Sequence, residues 1–306
     1  MSSLFAFPGQ GAQQPGMLHH LPEGSRDVLE AASEVLGEQV LALDSAEALQ
    51  HTRAVQLCLL LTGVAWARWL LRRSPAPACV AGLSIGAYAA AVTAEALKLE
   101  DAVRLVSLRG DLMQRTYPSG YGMTALSGLE QATLERVLAE VGGEVYLANV
   151  NSDNQLVIAG SDAAMGAVVA RVRSLGQGVA RRLAVSVPSH CALLQAPAAT
   201  LAQAFAEVTL QRPRLTYLSG SSARALFDPQ RLREDLAYNM ARRVDWRATL
   251  RSAWERGVRL HLELPPGSVL SGLARRVFDA GKVLSVESTR ADTLEALLRQ
   301  EVAHTR

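Results

Sequence analysis

The sequence predicts an α/β protein built on a parallel sheet, with a smaller unit inserted into it, and three observations carry that prediction. Strand-like and helix-like runs alternate over most of the chain, the pattern left by helices crossing over a parallel sheet. Between residues 122 and 187 the order becomes β-α-β-β-α-β, its central strands joined by a short turn at 151–154. Such a hairpin does not suit parallel crossovers and marks a split βαβ, ferredoxin-like unit. The chain also has the means to fill a large core, since 49% of its 306 residues are hydrophobic and 20% charged.

The first strand is expected at 3–7, within an apolar run that reaches Pro8-Gly9 without a basic leader or cleavage-like segment; a cytoplasmic location is the expectation. Helices follow at 25–36 and 52–72. The latter contains the most membrane-like stretch, 54–67, which Arg53 and Arg68 bracket and Gln56 interrupts; it is too short to span a bilayer and reads as a buried helix. A strand at 78–83 leads to Ser84, and helices at 86–96 and 99–116 leave it. In the inserted unit, strands are expected at 122–126, 145–150, 155–159 and near 181–185, with helices at 130–141 and 162–174. From 193 alternation resumes: a helix to 208, a strand at 215–219, helices at 228–240 and 246–256, a strand at 258–264, and a strand-helix pair ending near 302. The expected organisation is therefore 1–121 and 188–306 as a large domain and 122–187 as the insertion, with substrate in the cleft between them.

Composition removes several function classes. Pro and Gly are at ordinary levels and no fixed-period repeat is present, which argues against disordered, collagen-like and solenoid chains. Three cysteines, Cys58, Cys79 and Cys191, leave one over in any disulfide scheme and lack metal-site spacing; a reducing compartment and no metal are expected. The net charge of +2 is unevenly distributed, with 10 basic and 15 acidic side chains in residues 1–150 against 21 and 14 in residues 151–306. The basic pairs Arg181-Arg182, Arg242-Arg243 and Arg275-Arg276 are scattered and aromatics are 5%, so no nucleic-acid reader is recognisable; a phosphorylated small molecule or an acidic protein surface fits at least as well.

The chemistry starts at Gly82-Leu83-Ser84-Ile85-Gly86. A G-x-S-x-G pattern between an apolar run and an Ala-rich run places a serine hydroxyl at a sharp strand-to-helix turn, although five residues of this kind also fit a structural turn. A serine nucleophile needs a base. Among six histidines, His19 and His20 lie in a Gly/Pro-bounded loop, His51 starts a helix, His261 sits within an apolar strand and His304 in the C-terminal tail. His190 follows Val187-Pro188-Ser189 where the inserted unit rejoins the large domain, a position suited equally to a base over the cleft or to loop structure. For an oxyanion, the Ile85 N–H is one natural donor, and the Gly-rich turn after the first strand, Phe7-Pro8-Gly9-Gln10-Gly11, can supply the second. That turn lacks the spacing of a nucleotide-binding loop. Arg109, within a helix, fits a surface ion pair, or, if it faces the cleft, a two-point grip on a substrate carboxylate.

Phe7-Pro8-Gly9-Gln10-Gly11-Ala12-Gln13, the serine elbow, Leu108-Arg109-Gly110 with Met113-Gln114, Asn149-Val150-Asn151-Ser152 with 155–160, Val187-Pro188-Ser189-His190, and Leu264-Pro265-Pro266-Gly267 with Val269-Leu270 together resemble the malonyl-CoA:acyl carrier protein transacylases in order and spacing over nearly the whole chain. The resemblance implies an α/β-hydrolase-like acyltransferase domain with a ferredoxin-like insertion and ping-pong acyl transfer from coenzyme A to a carrier thiol. It implies Ser84 as acylated nucleophile, His190 as base, Gln10 and Ile85 as oxyanion N–H donors, and Arg109 as the holder of the malonyl carboxylate. Asn239, in Tyr238-Asn239-Met240, matches an amide, usually Gln in the family, that supports the histidine loop; Asp228, Asp235 and Asp245 are then structural. No cofactor is held tightly. Malonyl-CoA is the donor and a phosphopantetheine-type group comes with the carrier.

Two positions depart from the fatty-acid-synthesis pattern G-H-S-L-G-E: Leu83 stands for the His and Ala87 for the Glu. The resulting Gly-Leu-Ser-Ile-Gly-Ala is similar to the epsilon subunit of malonate decarboxylase, which loads a specialised carrier subunit bearing a phosphoribosyl-dephospho-CoA group. That subunit is the preferred expectation, with the transacylase of fatty-acid or polyketide synthesis as the alternative. A serine thioesterase ranks lower, because an HGGG-type loop and an acid preceding the histidine in a triad are not evident. A non-catalytic carrier-binding protein ranks lower too.

Overall fold

The computed structural model describes residues 2–303, so Met1 and His304 lie outside the described residues. Two sheets organise it. The larger has the order β11-β10-β1-β2-β7-β8, formed by β1 (Ser2–Phe7), β2 (Cys79–Gly82), β7 (Thr216–Leu218), β8 (Ala225–Leu226), β10 (Val258–Glu263) and β11 (Lys282–Ser285). All its pairings are parallel except that of β7 with β8. The smaller sheet, β6-β3-β5-β4-β9, contains β3 (Tyr121–Ser127), β4 (Val145–Ser152), β5 (Gln155–Ser161), β6 (Val179–Arg182) and β9 (Val244–Asp245).

Period-two alternation builds the larger core on both faces of the parallel sheet. Phe5 and Phe7 of β1 join Val80 of β2 on the face covered by α2 (Thr52–Arg73), α3 (Gly86–Thr93) and α4 (Leu99–Thr116), while Leu4, Ala6 and Ala81 join Trp246, Leu250 and Phe278 on the other. The first face is completed by α1 (Arg26–Leu36), α7 (Gln195–Ala204), α8 (Pro229–Tyr238) and α11 (Ala291–Ala303), the second by α9 (Trp246–Glu255) and α10 (Val269–Ala274). On the smaller sheet, α5 (Gln131–Val141) and α6 (Asp162–Ser174) bury Leu134, Val137, Met165, Val168 and Val172 against Leu126, Val150, Leu156 and Ile158. Among the described residues α2 is the one helix long and apolar enough to cross a membrane, yet 78% of its apolar window is buried within the protein. Burial, rather than the short length expected of it, makes α2 a core helix.

Several elements differ from expectation for identifiable reasons. The helix expected at 86–96 ends at Thr93, because Glu95 turns to φ 57° in a left-handed cap whose N–H groups reach back, Glu95 N–H to Val92 O and Ala96 N–H to Ala91 O at 3.0 Å each; the Ala94 and Ala96 carbonyls then accept from Arg214 and Gln211. The strand expected near 181–185 is β6 at 179–182, starting two residues earlier, and β4 runs on through Ser152 so that only Asp153-Asn154 turn. The helix expected at 193–208 is α7 flanked by two 3-10 turns. β8 and β9, of two residues each, are too short to leave a pattern in the sequence. β9 pairs in parallel with β4 through Asn149 and Val244, so the smaller sheet gains a fifth strand from outside 122–187.

The expected structural acids are structural in fact. Asp228 caps α8 through the Gln230 and Arg231 N–H groups, and Asp245 caps α9 through Ala248 N–H at 2.8 Å. Asp235 is buried and accepts from Tyr217, Ser219 and Ser221, tying β7 to α8.

His261 is fully buried on β10, with its ring 5.7 Å from that of Phe278 and neither nitrogen partnered. It is structural and does not face solvent. Burial pushes its pKa down to about 3 from 6.5. The unfolded chain therefore takes the proton first, and the neutral ring's contribution, whole above pH 6.5, is lost as pH falls from there toward 3. His261→Leu should lose that dependence: relative to the parent its stability at pH 5 should improve by about 2 kcal/mol more than at pH 8. Thermal unfolding at the two pH values measures this, and a pH-independent difference would contradict it.

Candidate active site

Gly82, Ser84 and Gly86 form the turn because little else fits there. A Cβ on Gly82 would lie 1.9 Å from the Gly86 backbone, and one on Gly86 would lie 2.3 Å from Phe7 O. The helix can thus start directly on the strand's end, and Ser84 is held at φ 55°, in the left-handed region that a non-glycine residue rarely adopts. β1 and β2 are neighbours, which brings the 8–11 loop onto the elbow: Leu83 N–H donates to Phe7 O at 3.0 Å, and a Cβ on Gly9 would lie 2.7 Å from Leu83 O. Among the described residues neither the Gln10 nor the Ile85 N–H has a protein acceptor, and Ile85 is at the N-terminus of α3. The Ile85 N–H is thus a free donor next to the serine at a helix end that favours negative charge, and the Gln10 N–H is a free donor in the loop whose Gly9 packs on Leu83.

Arg109 reaches the same place from α4. Gly110 lets α4 pass close to α2, since a Cβ there would lie 2.4 Å from Arg53 Cα. The Arg109 side chain is 0% exposed. Its Nη2 donates to Ser84 Oγ at 3.3 Å and to Asn239 Oδ1 at 3.3 Å, while Nε and Nη1 have no acceptor. No carboxylate pairs with it among the described residues, so Arg109 does not form the surface ion pair that its sequence position also allowed. Burial lowers its pKa. Tyr88, one turn after Ser84 and also fully buried, lies beneath the guanidinium with ring centroid and Cζ 6.0 Å apart. Sequence reasoning missed this support, although its i+4 spacing from Ser84 was a signal.

His190 is fixed by the end of α8. The helix tightens into a 3-10 turn at Asn239–Ala241, and its terminal carbonyls turn toward the histidine. Met240 O accepts the His190 N–H at 2.7 Å, and Asn239 O and Arg242 O lie 2.9 and 3.2 Å from Nδ1. Two carbonyl acceptors require the proton on Nδ1, which leaves Nε2 as the lone-pair nitrogen. His190, like Ser84, has a positive φ, 64°. Burial, and then the nearby Arg109 charge, lower its pKa to about 4, so the ring is neutral at pH 7. In this state Ser84 Oγ is held by Arg109 rather than by the imidazole.

The structure therefore brings Ser84, Arg109 and Asn239 into one hydrogen-bonded group and ties His190 to Asn239, with Ile85 at the elbow and Gln10 in the adjoining 8–11 loop. Cys58, Cys79 and Cys191 are free and buried, and burial raises the Cys79 and Cys191 thiols to about 11, which leaves them unreactive.

Residues 4–301 match the family described as acyl transferase domain. The chain is 36% identical over 303 residues to the malonyl CoA-acyl carrier protein transacylase of Escherichia coli (strain K12), covering 95% of this chain and 98% of that protein. It is 31% identical over 307 residues to the enzyme of the same name from Bacillus subtilis (strain 168), covering 96% of each. Among solved structures, the transacylase of that name from Coxiella burnetii superposes with a TM-score of 0.92 at 33% identity, covering 99% of this chain and 98% of that one. A malonyl-transacylase in complex with its type II PKS acyl-carrier protein superposes with a TM-score of 0.91 at 33% identity, covering 98% and 100%. With its sheet order, its serine elbow and these matches along nearly its whole length, the chain belongs to the acyl transferase domain family and is an acyltransferase.

Proposed function

We propose that this acyltransferase moves a malonyl group from malonyl-CoA to the phosphopantetheine-type thiol of an acyl carrier protein, through an ester on Ser84. The observation that carries the malonyl assignment is Arg109: a fully buried guanidinium, bonded to the serine, with Nε and Nη1 unpaired. A buried unpaired cation is costly, and an acyl group that ends in a carboxylate supplies the missing anion beside the reacting atom.

The chemistry runs in two equivalent halves. His190 Nε2 takes the proton of Ser84 as Oγ forms its bond to the thioester carbonyl carbon, and the oxygen's developing charge is met by the Gln10 and Ile85 N–H groups. The C–S bond then breaks and coenzyme A leaves with the proton from His190. The carrier thiol gives its proton to His190, attacks the Ser84 ester in the same way, and Ser84 is regenerated. His190 Nδ1–H stays on the Asn239 and Arg242 carbonyls throughout, which holds the ring and favours its charged form without a carboxylate.

The relatives carry the transacylase name, which supports a carrier protein of fatty-acid or polyketide synthesis as acceptor over the malonate decarboxylase carrier subunit. The narrower decarboxylase reading rests on the elbow, where Leu83 packs with the α9–α10 side of the core and Ala87 is fully buried. Incubation with malonyl-CoA should leave a malonyl adduct on Ser84, found by intact mass and peptide mapping, which a carrier thiol discharges. Transfer to both carrier types, compared side by side, decides the acceptor. Absence of the adduct in folded protein would refute the Ser84 route, and release of free malonate without carrier loading would indicate a thioesterase.

A further inference from the structure

Asn239 enters the site twice. Its backbone carbonyl lies 2.9 Å from His190 Nδ1, and its side-chain Oδ1 accepts from Arg109 Nη2 at 3.3 Å. A guanidinium only donates, so the amide atom facing it must be oxygen, which fixes the orientation of the amide. Nδ2 is then left in the interior: Asn239 is 1% exposed and Nδ2 has no acceptor.

Arg109 has a matching deficit. Its Nη2 carries two protons, and Ser84 Oγ and Asn239 Oδ1 take both. Each edge of a guanidinium that grips a carboxylate at two points includes Nη2, so with Nη2 engaged Arg109 offers a single unpaired N–H, from Nε or Nη1, to a carboxylate on either edge. The second carboxylate oxygen needs another donor. The Asn239 amide, seated on Nη2, provides one a single amide width away.

We propose that Asn239 is a specificity-determining residue whose Nδ2–H donates to the free carboxylate of the acyl group, so that this carboxylate is read jointly by a guanidinium and an amide. The inference rests on Arg109 being the carboxylate reader and adds a role for Asn239 distinct from holding the histidine loop, which its backbone carbonyl performs whatever the side chain.

The test is the rate of Ser84 acylation by malonyl-CoA and by acetyl-CoA in the full chain carrying Asn239→Ala or Asn239→Asp, with kcat and KM separated. Loss of one hydrogen bond to a charged group should lower the malonyl-to-acetyl selectivity about tenfold in Asn239→Ala, and replacement of the donor by a competing carboxylate about a hundredfold in Asn239→Asp. The Asp variant is isosteric and keeps an oxygen on Arg109, so it decides the matter should the Ala variant fail to fold. A residue that only supports the loop would lower both acyl groups in proportion, and an unchanged ratio in the folded Asp variant overturns the proposal. Arg109→Ala run in parallel separates the two levels. If Arg109→Ala lowers the ratio and the Asn239 variants do not, the amide role alone is wrong; if Arg109→Ala leaves it unchanged, the carboxylate assignment itself fails.

Discussion

Arg109→Ala is expected to reduce Ser84 malonylation by about a thousandfold while reducing acetylation about tenfold or less, because only the malonyl group loses a charged partner. The size follows from burial. Arg109 is 0% exposed and Tyr88, beneath it, is equally buried, so water cannot readily take the place of the missing guanidinium and the malonyl carboxylate would be buried without a cation to pair it. Arg109→Lys should recover little, since an ammonium on a flexible stem cannot at once bond Ser84 Oγ, Asn239 Oδ1 and substrate as the planar fork can. The measurement is single-turnover acylation with each thioester. Equal losses for malonyl and acetyl groups would remove Arg109 as the carboxylate reader and leave it a support for Ser84.

The parts of this site that were legible in the sequence are those in which backbone geometry dictates residue type. The elbow needs Gly82 and Gly86 because two backbones approach within a Cβ's reach, and that requirement writes itself into a five-residue pattern. Arg109 was ambiguous in sequence because its orientation depends on how closely α4 approaches α2, a tertiary fact that Gly110 permits but does not announce. Asn239 was matched as support for His190, yet the support comes from its backbone carbonyl, which any residue possesses, while its side chain bonds Arg109. The strands β1, β2 and β10 follow from their apolar runs, whose alternate residues pack on opposite faces of the sheet, while their order within it comes from backbone pairing. The two-residue β9 does not, because pairing with Asn149 and Val150 of β4, and not any local preference, makes it a strand. Leu83 and Ala87 drew the reading toward malonate decarboxylase, whereas the relatives support the general transacylase; two side chains lining an elbow say little about which carrier docks outside it.

His190→Ala should lower malonyl transfer by about 10⁴-fold, the upper end of what a positioned general base contributes, with substrate KM changed much less. The pH profile of the parent enzyme gives the sharper test, because two physical effects set His190's basicity. Burial and the Arg109 charge both disfavour the imidazolium and hold the pKa near 4, so the acid limb of kcat/KM, which reports free enzyme, should lie near that value and the rate should be flat from there to neutrality. A malonyl carboxylate paired with Arg109 compensates the charge that presses on His190, so under saturation the limb of kcat should move to higher pH. Removing Arg109 removes the same repulsion, and the kcat/KM limb for acetyl transfer in Arg109→Ala should move upward as well. An acid limb at an unperturbed histidine value in the parent, or one that Arg109→Ala leaves in place, would mean that the titrating base is not His190 held in this buried, arginine-facing position.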